Sequence, residues 1–528
     1  MDDLTSREWD AIVIGTGVGG GSVGRSLAEA GLSVLFVEKG PDLGDEPPMA
    51  LEIGDSDPAH RLARGAWPRL LEFELDGRQI ETDGMVGAAV GGTSIYYAAT
   101  LERPERHDLE PVEGRPHPTG GWVVGHDAFR PWFEAAERNF HINGEIDPLA
   151  SERGELPPPL EPLPASDAAL IADLRRTGMH PYRTHMATRL APASDGAAPQ
   201  VQKMHGRSAG VTPALKTGRA ALIDRCTVTR IEADGRAVTG LTCLRDGQSL
   251  TLRARRYVLS AGGLGSPTLM LRSASEYWPG GLGNRHDLVG RNLMFHLSEI
   301  LALWTRDAHR DLTAMRSISM RDLYYMHGQR FGTVQSMGLT AGYGEILYAM
   351  QKRFDLSSLR RVRMLRHGLR IPAVVATRAM GKAKLFVGVL EDLPYSHNRV
   401  LPDPDDGERL RFHYHIADEL HQRRAAFRAA LRRAFQPHRA MFTTTAPELN
   451  FAHPCGTLRF GKDEKASVLD ADCRVHGLEN LYVADSSFMP TSNGVNPSLT
   501  IAANALRVGA RIAAEMQPRL AAVSSLGY

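Results

Sequence analysis

Residues 10–40 read DAIVIGTGVGGGSVGRSLAEAGLSVLFVEKG, and this stretch decides the fold. "AIVI" has the character of a buried strand, the glycine run that of a tight turn, "GSVGRSLAEA" that of a helix, and "VLFV" that of a second buried strand. Gly15, Gly17 and Gly20 give G-x-G-x-x-G directly after the first strand and opening the helix. Gly15 permits the turn, Gly17 lets the backbone approach a pyrophosphate, and Gly20 lets helix and strand pack closely. The helix N-terminus, with free N–H groups and the positive end of the dipole, then faces the phosphates. Glu38 ends the second strand, with 17 residues between it and Gly20. A carboxylate there accepts hydrogen bonds from a ribose and favours an unphosphorylated 2′-hydroxyl. The pattern predicts a dinucleotide site and leaves FAD and NAD open.

The 528 residues can hold more than one domain, and 42% hydrophobic content supports a sizeable core. A formal net charge of +1 gives no electrostatic case for nucleic acid. Cys226, Cys243, Cys455 and Cys473 are far apart and show neither CxxC nor metal-ligand spacing, so buried, reduced thiols and no metal site are expected. The acidic N-terminus enters a strand at once, without the cationic and apolar regions of a secretory leader. No apolar run reaches the roughly 20 residues that span a bilayer. The expectation is a soluble, cytoplasmic protein.

Residues 41–83 read as loop with short helices, including "AHRLARGAWPRLLEFEL". "VGGTS" then brings a second glycine pair, Gly91-Gly92, followed by Thr93 and Ser94. "DAALIADLRRTGM" is helical by spacing, and residues 220–263 alternate as strands joined by the hairpin signals "ADGR" and "RDGQ". Near the C-terminus, "NLYVADSSFMPTSNGVNPSLTIAANALRVGARIAAEM" is strand, loop and long helix. Asn496 at the cap and Pro497 at the first helical position make its start signal.

The N-terminal unit, "VGGTS", "VLSAGGLGSP", "HPCGT" and "YVADSSFMPTSNGVNPSLTIAANALR" resemble, in composition and order, the glucose-methanol-choline (GMC) oxidoreductases. The resemblance runs from about residue 8 to 516 and is vague through 110–200 and 300–445. It implies an α/β fold: a Rossmann-like FAD-binding domain, discontinuous in sequence, from residues 8–107, 205–295 and 450–516. Residues 108–204 and 296–449 would form a second, α+β substrate domain built on an antiparallel sheet. It implies FAD as cofactor, cradled by Gly15, Gly17, Gly20 and Glu38, by Gly91, Gly92, Thr93 and Ser94, by the backbone of Val228, and by Asp485 and Pro497. Members that bind FAD covalently use a histidine where this chain has Tyr96, so the flavin is expected to be noncovalent.

The implied activity is oxidation of an alcohol by hydride transfer to flavin, with oxygen or a separate carrier as electron acceptor. His453, in "FAHPCGTLRF", matches the family's active-site histidine, and histidine titrates near operating pH, as a base should. Asn496 matches the second active-site position and would hold the substrate oxygen. Cys455 lacks an activating partner and reads as packing. Glu391 and Asp392 read as a solvated strand end, with a second-base role as the alternative; His296 reads as rim or structure. A sugar or glycoside alcohol is the leading substrate, an apolar or lipid-like alcohol the alternative for a membrane-associated dehydrogenase, and a flavin-retaining lyase the other enzyme class.

Residues 352–384 hold ten Lys or Arg and one acid, Asp355. Leu359, Val362, Leu365 and Leu369 share a helical face, so a basic amphipathic helix is expected to end before Pro372. An ordinary surface helix, a lid, and a contact with a membrane or an electron acceptor all fit that pattern.

Overall fold

The computed structural model describes residues 2–44, 57–152, 154–191, 199–305, 315–340, 342–355, 357, 362–380, 383–403 and 405–524. The opening stretch folds as its pattern dictates. Strand Glu8–Ile14 runs into helix Val18–Glu29 and then strand Val34–Val37, and the two strands pair in parallel with Ile12 opposite Leu35. Both strands are apolar almost throughout because they are buried within a parallel sheet.

Among the described residues that sheet has seven strands. Ala220–Ile223 pairs with the second strand, and Gln248–Leu259 pairs with the first. The latter strand does two jobs. Its last residues lie parallel to Glu8–Ile14 and Leu481–Val483, while its first residues close an antiparallel meander with Val238–Arg245 and Cys226–Ala233. Segments from the start, middle and end of the chain therefore meet in one sheet. Helix Ser498–Ser524 packs along Val18–Glu29, and a Cβ on Gly509 would press against Ser26, so the helices approach closely there.

A second sheet, antiparallel throughout, has the strand order 439–442, 297–304, 384–390, 334–340, 318–320 and 182–183. Its core of Phe295, Leu301, Phe386, Phe427 and Leu431 is separate from the nucleotide-side core. The two cores divide the chain differently from the expected boundaries. Helix His126–Asn139 belongs to 108–204, yet it packs on helix Ser498–Ser524 and buries Phe129 and Phe133 in the first core. Residues 71–82, expected in loop or short helix, form a hairpin of strands Leu71–Leu75 and Arg78–Thr82 within the second core. The signal was present: Leu71, Phe73 and Leu75 alternate, and Asp76-Gly77 takes positive φ at both turn residues, as a tight hairpin requires.

The basic stretch also departs from expectation. Helix Arg363–Gly368 is followed by a second helix, Arg370–Met380, with Pro372 inside its first turn, where the missing N–H costs no intrahelical bond. Ala373 packs with Ile346 on helix Tyr343–Asp355, while Met364, Ile371 and Val375 are 86%, 75% and 63% exposed. Leu359 lies outside the described residues. This helical excursion leaves and re-enters the second sheet between Thr340 and Lys384, which pair with each other.

Candidate active site

A cavity of about 840 Å³ begins at the glycine turn and ends between the two sheets. Gly15, Gly17, Glu38, Gly92, Thr93, Ser94, Val228, Asp485 and Pro497 all line it, as do His453 and Asn496. Gly20 and Gly91 stand behind its wall. A Cβ on Gly20 would lie 2.0 Å from the Gly15 carbonyl oxygen, and the Gly91 N–H donates to Thr16 Oγ1 at 3.1 Å.

The residues at the first end fit a dinucleotide. Gly17 caps helix Val18–Glu29 without any side-chain partner, so the first-turn N–H groups face open space. A Cβ there would meet only Gly92 Cα, at 3.9 Å, whereas one on Gly92 (φ +57°) would press to 2.8 Å from Gly17 Cα. Two glycine loops thus clasp backbone to backbone around the space. Glu38 accepts from the Thr16 N–H (3.0 Å), Thr16 Oγ1 (2.6 Å) and the Gly40 N–H (3.1 Å), leaving lone-pair capacity toward the cavity. Burial pushes its carboxyl upward, and these donors pull it back. Asp485 is a clamp, accepting from the Gly262 and Ser487 N–H groups, both at 2.9 Å. Ser94 braces its loop by accepting from the Gly206 N–H at 2.9 Å.

At the other end His453 and Asn496 share the cavity. Asn496 differs from the expected cap. Pro497 supplies the carbonyl that accepts from the Ile501 N–H (3.0 Å), and the Asn496 side chain turns instead to Gln335, whose Nε2 donates to Asn496 Oδ1 at 2.8 Å. With its oxygen so occupied, the Asn496 amide presents N–H donors to the cavity. The preceding loop is held by Thr333, whose N–H donates to Gly494 O at 2.8 Å, and by Tyr324 Oη, which accepts from the Gly494 N–H at 3.1 Å.

His453 has a partner that the sequence does not announce. His296 is fully buried; its Nε2 lies 2.8 Å from the Asn493 carbonyl oxygen and its Nδ1 3.0 Å from His453 Nδ1. Burial lowers the His296 pKa to about 4, so its one proton must sit on Nε2 to satisfy a carbonyl that can only accept. His296 Nδ1 is then a bare acceptor, and a hydrogen bond across the pair requires His453 to donate from Nδ1. Asn450 Nδ2, 3.2 Å from the same nitrogen, favours the opposite tautomer. Two lone pairs facing each other at 3.0 Å would repel, so the closer histidine contact decides. His453 Nε2 therefore carries the free lone pair. Burial first, then His296 and the Arg316 charge, hold His453 well below the ordinary histidine pKa.

The other acids near the site are engaged. Glu391 and Asp392 are buried, not solvated: Arg330 Nε donates to Glu391 at 2.6 Å, and Asp392 accepts from the Phe295 N–H at 3.0 Å and from Tyr414 Oη. Burial raises Asp392 to about 7. Cys455 is buried and unbridged, as are the other three cysteines, and burial pushes its thiol up; Met294 and Cys455 exchange backbone hydrogen bonds at 3.0 Å. Gln335 is the residue that sequence reasoning missed, and His296, expected at the rim or as structure, is instead buried against His453. Neither carries a local signal, since their partners lie 161 and 157 positions away.

Models of the GMC oxidoreductase N- and C-terminal domains match residues 9–298 and 394–505. The chain is 30% identical to 6'''-hydroxyparomomycin C oxidase of Streptomyces lividus, over 97% of this chain and 92% of that one. It is 26% identical to 2-methyl-1,2-propanediol dehydrogenase of Mycolicibacterium austroafricanum, over 96% and 95%. Among solved structures, pyridoxine 4-oxidase from Mesorbium loti superposes with a TM-score of 0.61 at 20% identity, covering 96% of this chain and 99% of that one.

Proposed function

The chain belongs to the glucose-methanol-choline (GMC) oxidoreductase family, and we propose that it oxidises a sugar-type alcohol, with His453 as the base and Asn496 holding the substrate oxygen. It is an FAD-dependent alcohol oxidase or dehydrogenase, acting on a small-molecule alcohol and passing electrons to an acceptor. The observation that carries the proposal is the convergence of His453 and Asn496 on the far end of the cavity that the glycine loops open.

Bound FAD supplies the hydride acceptor. The glycine turn, Glu38, the Gly92–Ser94 loop and Val228 would hold it. His453 Nε2, neutral and unprotonated, takes the hydroxyl proton. The Asn496 amide donates to the oxygen as its charge grows, and Gln335 fixes which end of that amide faces the substrate. His296 fixes which nitrogen of His453 is the base. The flavin is held without a covalent bond, because the loop position that would make one carries Tyr96.

The sugar-type substrate is supported by the hydroxyparomomycin oxidase among the relatives. The exposed apolar residues Met364, Ile371 and Val375, interspersed with exposed Arg370 and Arg378, support a peripheral contact with an anionic bilayer. Among the described residues no helix is long and apolar enough to cross a membrane. The test of the main reading is an anaerobic screen of sugar, polyol and apolar alcohols that follows flavin absorbance, then admits air. Bleaching by a sugar-type alcohol is expected; bleaching by apolar alcohols alone overturns the substrate class, and turnover without bleaching overturns the oxidation.

A further inference from the structure

Arg316 stands just before strand Ile318–Met320 and lines the cavity beside Gln335, in the end that holds His453 and Asn496. Its Nη2 donates to the Met337 carbonyl at 3.0 Å. Among the described residues it forms no ion pair. Each fully buried arginine among the described residues has one: Arg61 with Asp83, Arg321 with Glu102 and Glu105, Arg330 with Asp108 and Glu391, Arg423 with Glu419, and Arg424 with Glu299. The Arg316 charge is felt by another cation, Lys203, whose ammonium is depressed by burial and by Arg316. Burial alone pulls Arg316 down to about 10, with no carboxylate pulling it back.

Arg316 is half-buried, and a guanidinium partly withdrawn from water without a counter-ion is costly, while its planar donors match an oxyanion. Arg316 lines the cavity, and its charge reaches His453. The cost would be offset when a ligand brings the missing negative charge.

We propose that Arg316 recognises an oxyanion on the substrate, so that the enzyme's alcohol carries a carboxylate, sulfate or phosphate group. This deepens the alcohol-oxidising reading above and rests on it. An alcohol bearing an ammonium group would meet an uncompensated like charge and be disfavoured.

The experiment uses the flavin-loaded enzyme and three matched ring alcohols: 4-(hydroxymethyl)benzoate, 4-(hydroxymethyl)benzamide and 4-(aminomethyl)benzyl alcohol. Anaerobic flavin reduction gives an apparent Kd for each. The anion should bind roughly 10- to 100-fold tighter than the neutral amide, the range of one charge-assisted contact, and the cation weakest. Arg316→Gln should collapse the anion-to-amide ratio to near unity, and Arg316→Lys should keep part of it. The proposal is overturned if the parent enzyme does not prefer the anion, if Arg316→Gln keeps the preference, or if that variant slows all three alcohols equally. Sulfate titrated at constant ionic strength, read by melting midpoint, tests the arginine without redox chemistry. A saturable rise in the parent that is lost in Arg316→Gln supports the proposal, and equal responses overturn it. If none of the three alcohols bleaches the flavin, the sulfate titration alone decides for or against the oxyanion site, and the sugar and polyol screen above decides the alcohol-oxidising reading.

Discussion

Replacing His296 by leucine should slow flavin reduction without removing the base. In the parent, His453 Nδ1 donates to His296 Nδ1 at 3.0 Å, and this contact outweighs Asn450 Nδ2 at 3.2 Å. Leucine removes the first contact and leaves the second, which favours the proton on Nε2, where it blocks proton abstraction. Losing one neutral hydrogen bond and gaining its competitor shifts the tautomer balance by about 2 kcal/mol, or ~30-fold in the productive form. Complete loss of the base would cost more, on the order of 10²- to 10⁴-fold. The assay is the limiting rate of anaerobic flavin reduction in stopped flow, with any alcohol that bleaches the parent. Two controls separate tautomer control from damage. His296→Gln, which keeps a donor for the Asn493 carbonyl and an acceptor for His453, should recover most of the rate. Asn450→Ala added to the leucine variant should recover part of it, since the competing donor is gone. The acid limb should also move up in the leucine variant, because His296 is one cause of the low His453 pKa. A leucine variant with the parental rate and pH profile would refute the reasoning.

His453→Ala should lose about 10²- to 10⁴-fold in flavin reduction at neutral pH, with partial recovery in alkali as free alkoxide accumulates; an unchanged rate removes the base assignment. Because His453 is held well below its ordinary pKa, it stays neutral as pH falls below about 6.5, so the parent rate should be flat from about pH 8 to below 6.5 and drop only under that; a half-maximum at or above pH 6.5 contradicts it. Asp392 is raised to about 7 when folded, so it favours folding below its unfolded pKa and loses that contribution as pH climbs toward 7, by up to ~1.4 kcal/mol per pH unit. Urea unfolding at a series of pH values should therefore show a flatter dependence between about pH 4 and 7 for Asp392→Asn. Acid precipitation should leave yellow colour in the supernatant; colour carried down with the protein would show a covalent flavin. Vesicles with anionic headgroups should sediment the protein at low salt, and Ile371→Asp with Val375→Asp should abolish this; equal binding to neutral vesicles, or self-association in their absence, would argue against the bilayer contact.

Legibility in the sequence followed the range over which each feature is determined. The βαβ unit was fully readable, because Gly15, Gly17 and Gly20 meet their constraints within one turn and Glu38 closes the same unit. The meander is readable because Asp-Gly signals mark both its turns; Asp246-Gly247, at positive φ, fixes the register of the second hairpin, while the first carries shifts at Val228/Arg230 and Glu232/Ala233. The hairpin at 71–82 is ambiguous in sequence although Asp76-Gly77 is an Asp-Gly turn: "RLLEFEL" also satisfies a helical reading, and pairing with strand Arg411–Tyr414 decides between them. The place of Asn496 before Pro497 predicts a cap. Only tertiary structure supplies Gln335, which takes the oxygen that capping would need. Glu391 looked solvated because Arg330 lies 61 positions away.

The two family positions, His453 and Asn496, are on loops of the nucleotide-side segment, yet neither is oriented by that segment alone. His296 enters strand Leu297–Trp304, and Gln335 lies on strand Val334–Thr340, both in the antiparallel sheet. Arg316 leads into a third strand of it. The sheet that forms the substrate side therefore also sets the His453 tautomer and the Asn496 amide orientation. Remodelling it for a new alcohol changes more than fit. A substitution that moves strand Val334–Thr340 by a fraction of an ångström alters the 2.8 Å Gln335–Asn496 bond as well as the space for substrate. If His453 and Asn496 act as proposed, selectivity and rate are coupled through their hydrogen bonds, and variants along this strand should change kcat together with KM.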